Sequence, residues 1–372
     1  TTNPSNPLPQ RNVAGFQEGS IYTNSTLSSG YSHTCAILDN GSVSCWGDGG
    51  FGSLGNGGTS DKLTPTLTSS LGTGRTAVAL SSGLHHICAI LDNGSVSCWG
   101  YGGSGQLGNG GTSNQYSPTL TSSLGTGRTA VAVSSGADHT CALLDNGSVS
   151  CWGYGDFGQL GNGGNSDQNS PTLTSSLGRG AVALSSGQDH TCAILDNGSV
   201  SCWGDGGYGR LGYGGTSQQN SPTLTSSLGI GRTAVALASG QEYTCAILDN
   251  GSVSCWGYGG YGQLGNGNTT EKSTPTLTSS LGTNRTAIAI SSGKSSTCAI
   301  LDNGSVSCWG SGGFGILGNG GTSQQNSPIL TSSLGTDRTA VALSAGNSHT
   351  CAALDNGSVL CWGIGSKGQL GN

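Results

Sequence analysis

Fourteen cysteines stand in seven pairs of one spacing, C-x9-C: Cys35 with Cys45, Cys88 with Cys98, Cys141 with Cys151, Cys192 with Cys202, Cys245 with Cys255, Cys298 with Cys308, and Cys351 with Cys361. Paired cysteines do one of two kinds of chemistry here. Structural zinc takes its thiolates from close pairs such as C-x-x-C, with histidines at set distances, and a nine-residue gap does not suit it. A disulfide needs only that two Cβ atoms meet, so the question becomes whether the intervening residues fold back on themselves.

They do, if read as a hairpin. In "CAILDNGSVSC" the triplet Asp39, Asn40 and Gly41 suits a three-residue loop whose glycine takes the left-handed position of a G1 bulge. Leu38 then faces Ser42, Ile37 faces Val43 and Cys35 falls opposite Cys45 on a non-hydrogen-bonded pair, where Cα atoms lie about 4.5 Å apart. One disulfide per repeat is therefore expected. Such bonds persist in oxidising compartments, which predicts an extracellular protein, secreted or at the cell surface.

The first cysteines recur every 53 residues, with one step of 51 from Cys141 to Cys192, where "LGRGAVAL" is shorter than "LGTGRTAVAL". Each copy offers four strand candidates, "TAVALSS", "HTCAIL", "SVSCWG" and "PTLTSS", and no run with helical periodicity. Units of this size with four strands are blades, and blades set radially leave only short edges exposed. The spacing from second cysteine to repeat proline is 20 at Cys45 to Pro65 and Cys98 to Pro118, and it is also 20 from Cys361 through the two termini to Pro9. The reading is a single all-β domain over 1–372, a seven-bladed β-propeller of four-stranded blades, with the N-terminal segment 1–30 completing the last blade and closing the ring.

Composition excludes several functions. Net charge is -6 and the 12 basic residues are dispersed, so no stripe exists to neutralise phosphates and no nucleic-acid partner is expected. No apolar run approaches the roughly 20 residues of a membrane helix, and no membrane insertion is expected. Thr1 and the lack of methionine read as a mature, processed chain.

The motif "G-x-x-H-T-C-A-I-L-D-N-G-S-V-S-C-W-G-x-G-x-x-G-Q-L-G" resembles the regulator of chromosome condensation repeat over nearly the whole chain. The resemblance implies a seven-bladed propeller that binds proteins, in a family whose roles range from nucleotide exchange on a nuclear GTPase to light sensing and β-lactamase inhibition. The paired cysteines resemble secreted members rather than the nuclear exchange factor, and no inserted wedge or basic tail is visible. Exchange activity is not expected. Each tryptophan (Trp46, Trp99, Trp152, Trp203, Trp256, Trp309, Trp362) sits beside a cysteine at a fixed position, which favours packing over light sensing.

Other recurring residues have structural readings. His33, His86, His139, His190 and His349, replaced by Tyr243 and Ser296 in two copies, offer a ring of imidazoles for a metal or, preferred here, hydrogen bonds inside each blade. Arg75, Arg128, Arg232, Arg285 and Arg338 read as a repeated interblade hydrogen bond. "G-Y-G-G-S-G" at Gly100 to Gly105 matches a dinucleotide fingerprint only formally, since no helix follows, and Gln106, Gln159 and Gln263 stand where a calcium-binding repeat needs aspartate. No cofactor and no metal are predicted. Seven Asn-Gly-Ser sequons at hairpin tips follow from what the turn requires, which leaves Asn24, Asn268 and Asn284 as candidate glycosylation sites.

The copies differ chiefly at Tyr31, Leu84, Ala137, Gln188, Gln241, Lys294 and Asn347, before the histidine, and at the glycine-loop aromatics Phe51, Tyr101, Phe157, Tyr208, Tyr261 and Phe314. Those six are the candidate binding residues, with packing on neighbouring blades as the alternative. No nucleophile with a partnered base appears, so no enzyme is predicted. The expected function is a non-catalytic scaffold for protein interaction or structural assembly, as a homo-polymeric fibre or surface layer, with a soluble glycan-binding or inhibitor-like propeller as the alternative.

Overall fold

The computed structural model describes residues 26–372 as seven antiparallel blades around a common axis. Blades one to six span 27–67, 77–120, 130–173, 181–224, 234–277 and 287–330, each with four strands in chain order from the axis outward, and blade seven contributes three strands over 340–363. The outer strand begins before the repeat proline and ends at leucine, as in Gln115–Leu120, rather than running through "PTLTSS". An outermost strand tolerates Pro118 because its missing N–H faces no partner.

The hairpin register is the expected one. Ile37 pairs with Val43 and Cys35 with Cys45, the Leu38 amide donates to the Ser42 carbonyl at 2.9 Å, and Gly41 has φ of 75°. All seven cysteine pairs are disulfides, each with a Cα separation of 4.1 Å. Every cysteine is buried except Cys361, which is half-buried.

Among the described residues the apolar core is divided into seven clusters and not gathered at the axis. Apolar side chains interdigitate between neighbouring blades instead: Cys88, Ile90, Val96 and Leu107 of blade two meet Ala130, Ala142, Leu144 and Trp152 of blade three. The ring closes within the described residues. Leu27–Ser29 is the inner strand of blade one beside His33–Ile37 and lies against blade seven, with the Ser29 amide donating to Ser344 Oγ at 2.8 Å. The segment assigned from sequence to the last blade thus ends in blade one, and the rest of that assignment falls on residues 1–25, outside the described residues, as does Asn24.

Seven glycines, Gly30, Gly83, Gly136, Gly187, Gly240, Gly293 and Gly346, encircle the axis where each inner strand turns outward. A Cβ on any of them would fall 2.3–2.7 Å from the carbonyl oxygen of the next glycine in the ring, so only a residue without one lets the blades approach this closely.

Candidate binding face

The residues common to the repeats are occupied between blades. His86 Nε2 lies 2.9 Å from Thr140 Oγ1 of the next blade, that hydroxyl donates to the Gln106 carbonyl at 3.0 Å, and Trp152 Nε1 donates to the same carbonyl at 2.9 Å. Since the threonine proton goes to the carbonyl, the imidazole must donate through Nε2. The latch recurs from His139 to Thr191, from His190 to Thr244 and, across the ring closure, from His349 to Thr34. Tyr243 substitutes for histidine by bonding Thr297 at 3.0 Å. The histidines are therefore structural, but they act across blade boundaries and not inside their own blades.

Burial on all sides holds the His33, His86 and His139 imidazoles down to about 3, with neighbouring histidines adding to the effect at His33 and His86. His349 is held down to about 4 by the same desolvation, and His190 lies well below its ordinary value. Among the described residues, no group of three His, Cys, Asp or Glu could hold a metal ion.

The arginines also depart from expectation. Arg128 pairs with Asp145 at 3.2 Å and Arg285 with Asp302 at 3.0 Å, each within its own blade and roughly a third exposed, so they are surface ion pairs and not interblade bonds. Exposed pairs of this kind contribute about 0–1 kcal/mol. They belong to the lower face, formed by the Asp-Asn-Gly hairpins and the segments that lead into the next blade, which is nearly the same in every repeat. A depression of about 620 Å³ lined by Arg285, Asn303 and Ile329 has a smaller counterpart at Arg128 and Asn93. Asn284, at φ 55°, is exposed on this face, while Asn268 is exposed in the long loop of blade five.

The upper face carries the differences. It is built from the turns that follow the glycine ring and from the glycine-rich loops between third and fourth strands, joined by bonds such as Tyr154 N–H to the Asp138 carbonyl at 2.8 Å. Phe51, Phe157, Tyr208, Tyr261 and Phe314 are all exposed there, each six residues after a cysteine. Tyr101 is not their equivalent. It lies three residues after Cys98, at the position of Tyr154 and Tyr258, and the corresponding tip is Ser104.

Phe51 and Tyr101 nevertheless meet, with centroids 5.1 Å apart, and His85 joins them at 5.3 Å from Phe51. Tyr208, Tyr258 and Tyr261 make a second group, and Phe157 packs on Tyr154 at 6.0 Å. The residue two past each tip decides its backbone. Where it is glutamine, its Oε1 accepts the tip N–H, as at Gln159 with Phe157 and Gln263 with Tyr261. Where it is Ser53, Arg210 or Ile316, the tips Phe51, Tyr208 and Phe314 take φ of 58–60°, a left-handed conformation rarely adopted by bulky residues.

Sequence reasoning passed over the second residue after each ring glycine, which is acidic in three consecutive blades: Asp138, Asp189 and Glu242. Burial raises the Asp138 and Asp189 carboxyls above the ordinary range, offset at Asp138 by His85 and Gln106 and at Asp189 by Gln188 and Arg210. The missed signal was a run of one charge at one repeat position. Together the rings and carboxylates can stack on a ligand and accept its hydrogen bonds, and nothing in the arrangement pairs a nucleophile with a base.

Comparison with known proteins agrees with this architecture. A model of the RCC1-like domain matches residues 1–290, and models of the regulator of chromosome condensation repeat match 287–316, 340–369 and 303–353. The ultraviolet-B receptor UVR8 of Arabidopsis thaliana is 33% identical over 93% of this chain and 78% of the receptor. The E3 ubiquitin-protein ligase HERC2 of Homo sapiens is 32% identical over 91% of this chain, which spans only 7% of that ligase. Among solved structures, Prp20p of Saccharomyces cerevisiae superposes with a TM-score of 0.79 at 19% identity, covering 92% of this chain and 83% of that one, a likeness of fold.

Proposed function

This chain belongs to the RCC1-like propeller family, and we propose that it is a non-catalytic extracellular scaffold that engages protein through its upper face. One observation carries the reading. Side chains shared by the repeats are spent on contacts between blades, while side chains that differ between repeats gather on one face with aromatic rings exposed. Propeller stability demands the former and is indifferent to the latter, so the variation is free to serve recognition. Protein ligands have precedent in the fold, since Prp20p has been described with Gsp1p, histones and Kap60.

The extracellular address is supported by seven disulfides, which a reducing cytosol would not maintain. We favour assembly of copies into a fibre or surface layer, supported by the low charge and Ser/Thr/Gly-rich surface. Negative-stain microscopy of native material is the test, with isolated discs as the outcome that overturns assembly. The exposed rings favour a second reading, a soluble binder of glycan or protein that acts in an inhibitor-like way. A glycan array and pull-down blank on every ligand would remove it.

A further inference from the structure

Three phenol rings from two adjacent blades converge on the upper face. Tyr208 of blade four and Tyr258 of blade five have centroids 4.9 Å apart, and Tyr261 stands nearly edge-on to Tyr258 at 5.8 Å and 75°. Tyr208 is 42% exposed and Tyr261 48%, so the outer sides of both rings face solvent. Tyr208 is held there at φ 59°, a conformation that folding alone would assign to glycine.

The surroundings select the ligand. Desolvation first, then Tyr261, Glu242, Tyr208 and Glu271, keeps the Tyr258 phenol above its ordinary value, which places both carboxylates within electrostatic reach of the rings. Buried beneath the patch, Arg210 shows how it receives a cation. Its guanidinium carbon lies 5.7 Å from the Tyr208 centroid, with nitrogens 3.2 Å from Asp205 Oδ2 and 3.8 Å from Glu242 Oε1. Asp138, Asp156, Asp167 and Asp189 extend the negative sector across the upper loops of blades three to five, where Arg210 and Lys272 are the opposing cations.

We propose that the Tyr208, Tyr258 and Tyr261 patch docks a lysine- or arginine-rich segment of a protein partner. Cations sit well over aromatic faces and gain further from flanking carboxylates. An anionic ligand would be repelled. A neutral sugar can stack on the rings and bond the phenol hydroxyls, but it gains nothing from the net negative charge of the flanking carboxylates. The inference rests on the upper face being the binding face.

The test is fluorescence anisotropy with labelled octalysine, octaglutamate and a neutral chitin hexasaccharide, at low and high sodium chloride. Octalysine alone should bind, and salt should weaken it by roughly tenfold or more, as expected for exposed charges within a Debye length. Tyr208→Gly removes one ring and relieves the left-handed backbone, so binding should fall roughly threefold while the melting temperature holds or rises. Glu271→Lys should weaken binding further, and Phe314→Gly, which makes the same backbone change in a loop without acidic residues, should leave it unchanged. Octalysine that fails to bind at low salt, or binds equally to Tyr208→Gly and Glu271→Lys, overturns the proposal. Tyr208-dependent binding of the hexasaccharide or octaglutamate would reject a cationic ligand while keeping the upper face as the binding face; silence from all three probes, together with no upper-face partner, would reject both.

Discussion

Acid should unfold this propeller well before its carboxylates are neutralised. In each latch the threonine hydroxyl donates to a carbonyl, so the imidazole donates through Nε2, and the Nδ1 atoms of His86, His139, His190 and His349 are buried with no hydrogen-bond partner. Protonation would place a charge and an N–H there with nothing to accept it. The sign follows from where each state binds its proton. The unfolded chain takes one at each histidine near pH 6.5, whereas His33, His86 and His139 resist until about 3 and His349 until about 4. The stabilisation is complete above pH 6.5 and declines as pH falls from there toward 3 to 4. Each such histidine costs about 1.4 kcal/mol per pH unit over that range, so the four together remove roughly 8 kcal/mol by pH 5, comparable with the whole stability of an ordinary domain. Guanidinium midpoints measured with disulfides intact at pH 7.5, 6 and 5 should fall steeply. His86→Tyr, which copies the natural Tyr243 latch, should recover about one histidine's share of the slope. Midpoints that stay level between pH 7 and 5, or an NMR titration giving ordinary imidazole values, would show that the latches tolerate the charge.

Three further outcomes follow from the same contacts. Gly136→Ala should destabilise by more than about 2 kcal/mol, because its Cβ would meet the Gly187 carbonyl oxygen at 2.5 Å and the His139 ring, whereas Gly178→Ala, with φ of 72° and open space, should lose only about 1 kcal/mol in thermal melts. Thr140→Val strands the His86 donor and leaves the Gln106 carbonyl with Trp152 Nε1 as its remaining donor, a loss of roughly 1–3 kcal/mol readable by chemical denaturation. Cys88 and Cys98 are fully buried, so their disulfide should resist mild reductant in the folded protein and become alkylatable only after denaturation, as mass spectrometry will show; losing it costs at most about 2–3 kcal/mol, since the loop is short and already local.

How much of this the sequence disclosed depends on the range of each interaction. The Cys35 to Cys45 register was readable because Asp-Asn-Gly fixes a turn and everything else follows by counting outward. Seven blades were readable because the period is nearly constant. The histidine partner was not read correctly, since contacts 52 to 54 residues apart look the same as local ones in a chain that repeats at that interval. A cue was present. His139 and Thr140 are consecutive on one strand and so point to opposite faces, one toward each neighbouring blade, which already forbids a bond between them. Ile87 in place of threonine, with His33 Nε2 left unpaired across that boundary, carries the same message.

The candidate binding face was only half legible for a related reason. Tyr101 was grouped with the tips because it too is aromatic and glycine-flanked, but the offset from the preceding cysteine separates the two positions, three residues against six. Alignment by that offset brings out what composition hides. One loop position alternates Asp48, Tyr101, Tyr154, Asp205 and Tyr258, and the turn beside it carries His85, Asp138, Asp189 and Glu242 in four consecutive blades. A scaffold with sevenfold constraints would give every blade the same residue at such positions if they served the fold. The turn position is acidic only at Asp138, Asp189 and Glu242, which breaks that symmetry, and a partner that reads this arc binds off the axis, over blades three to five.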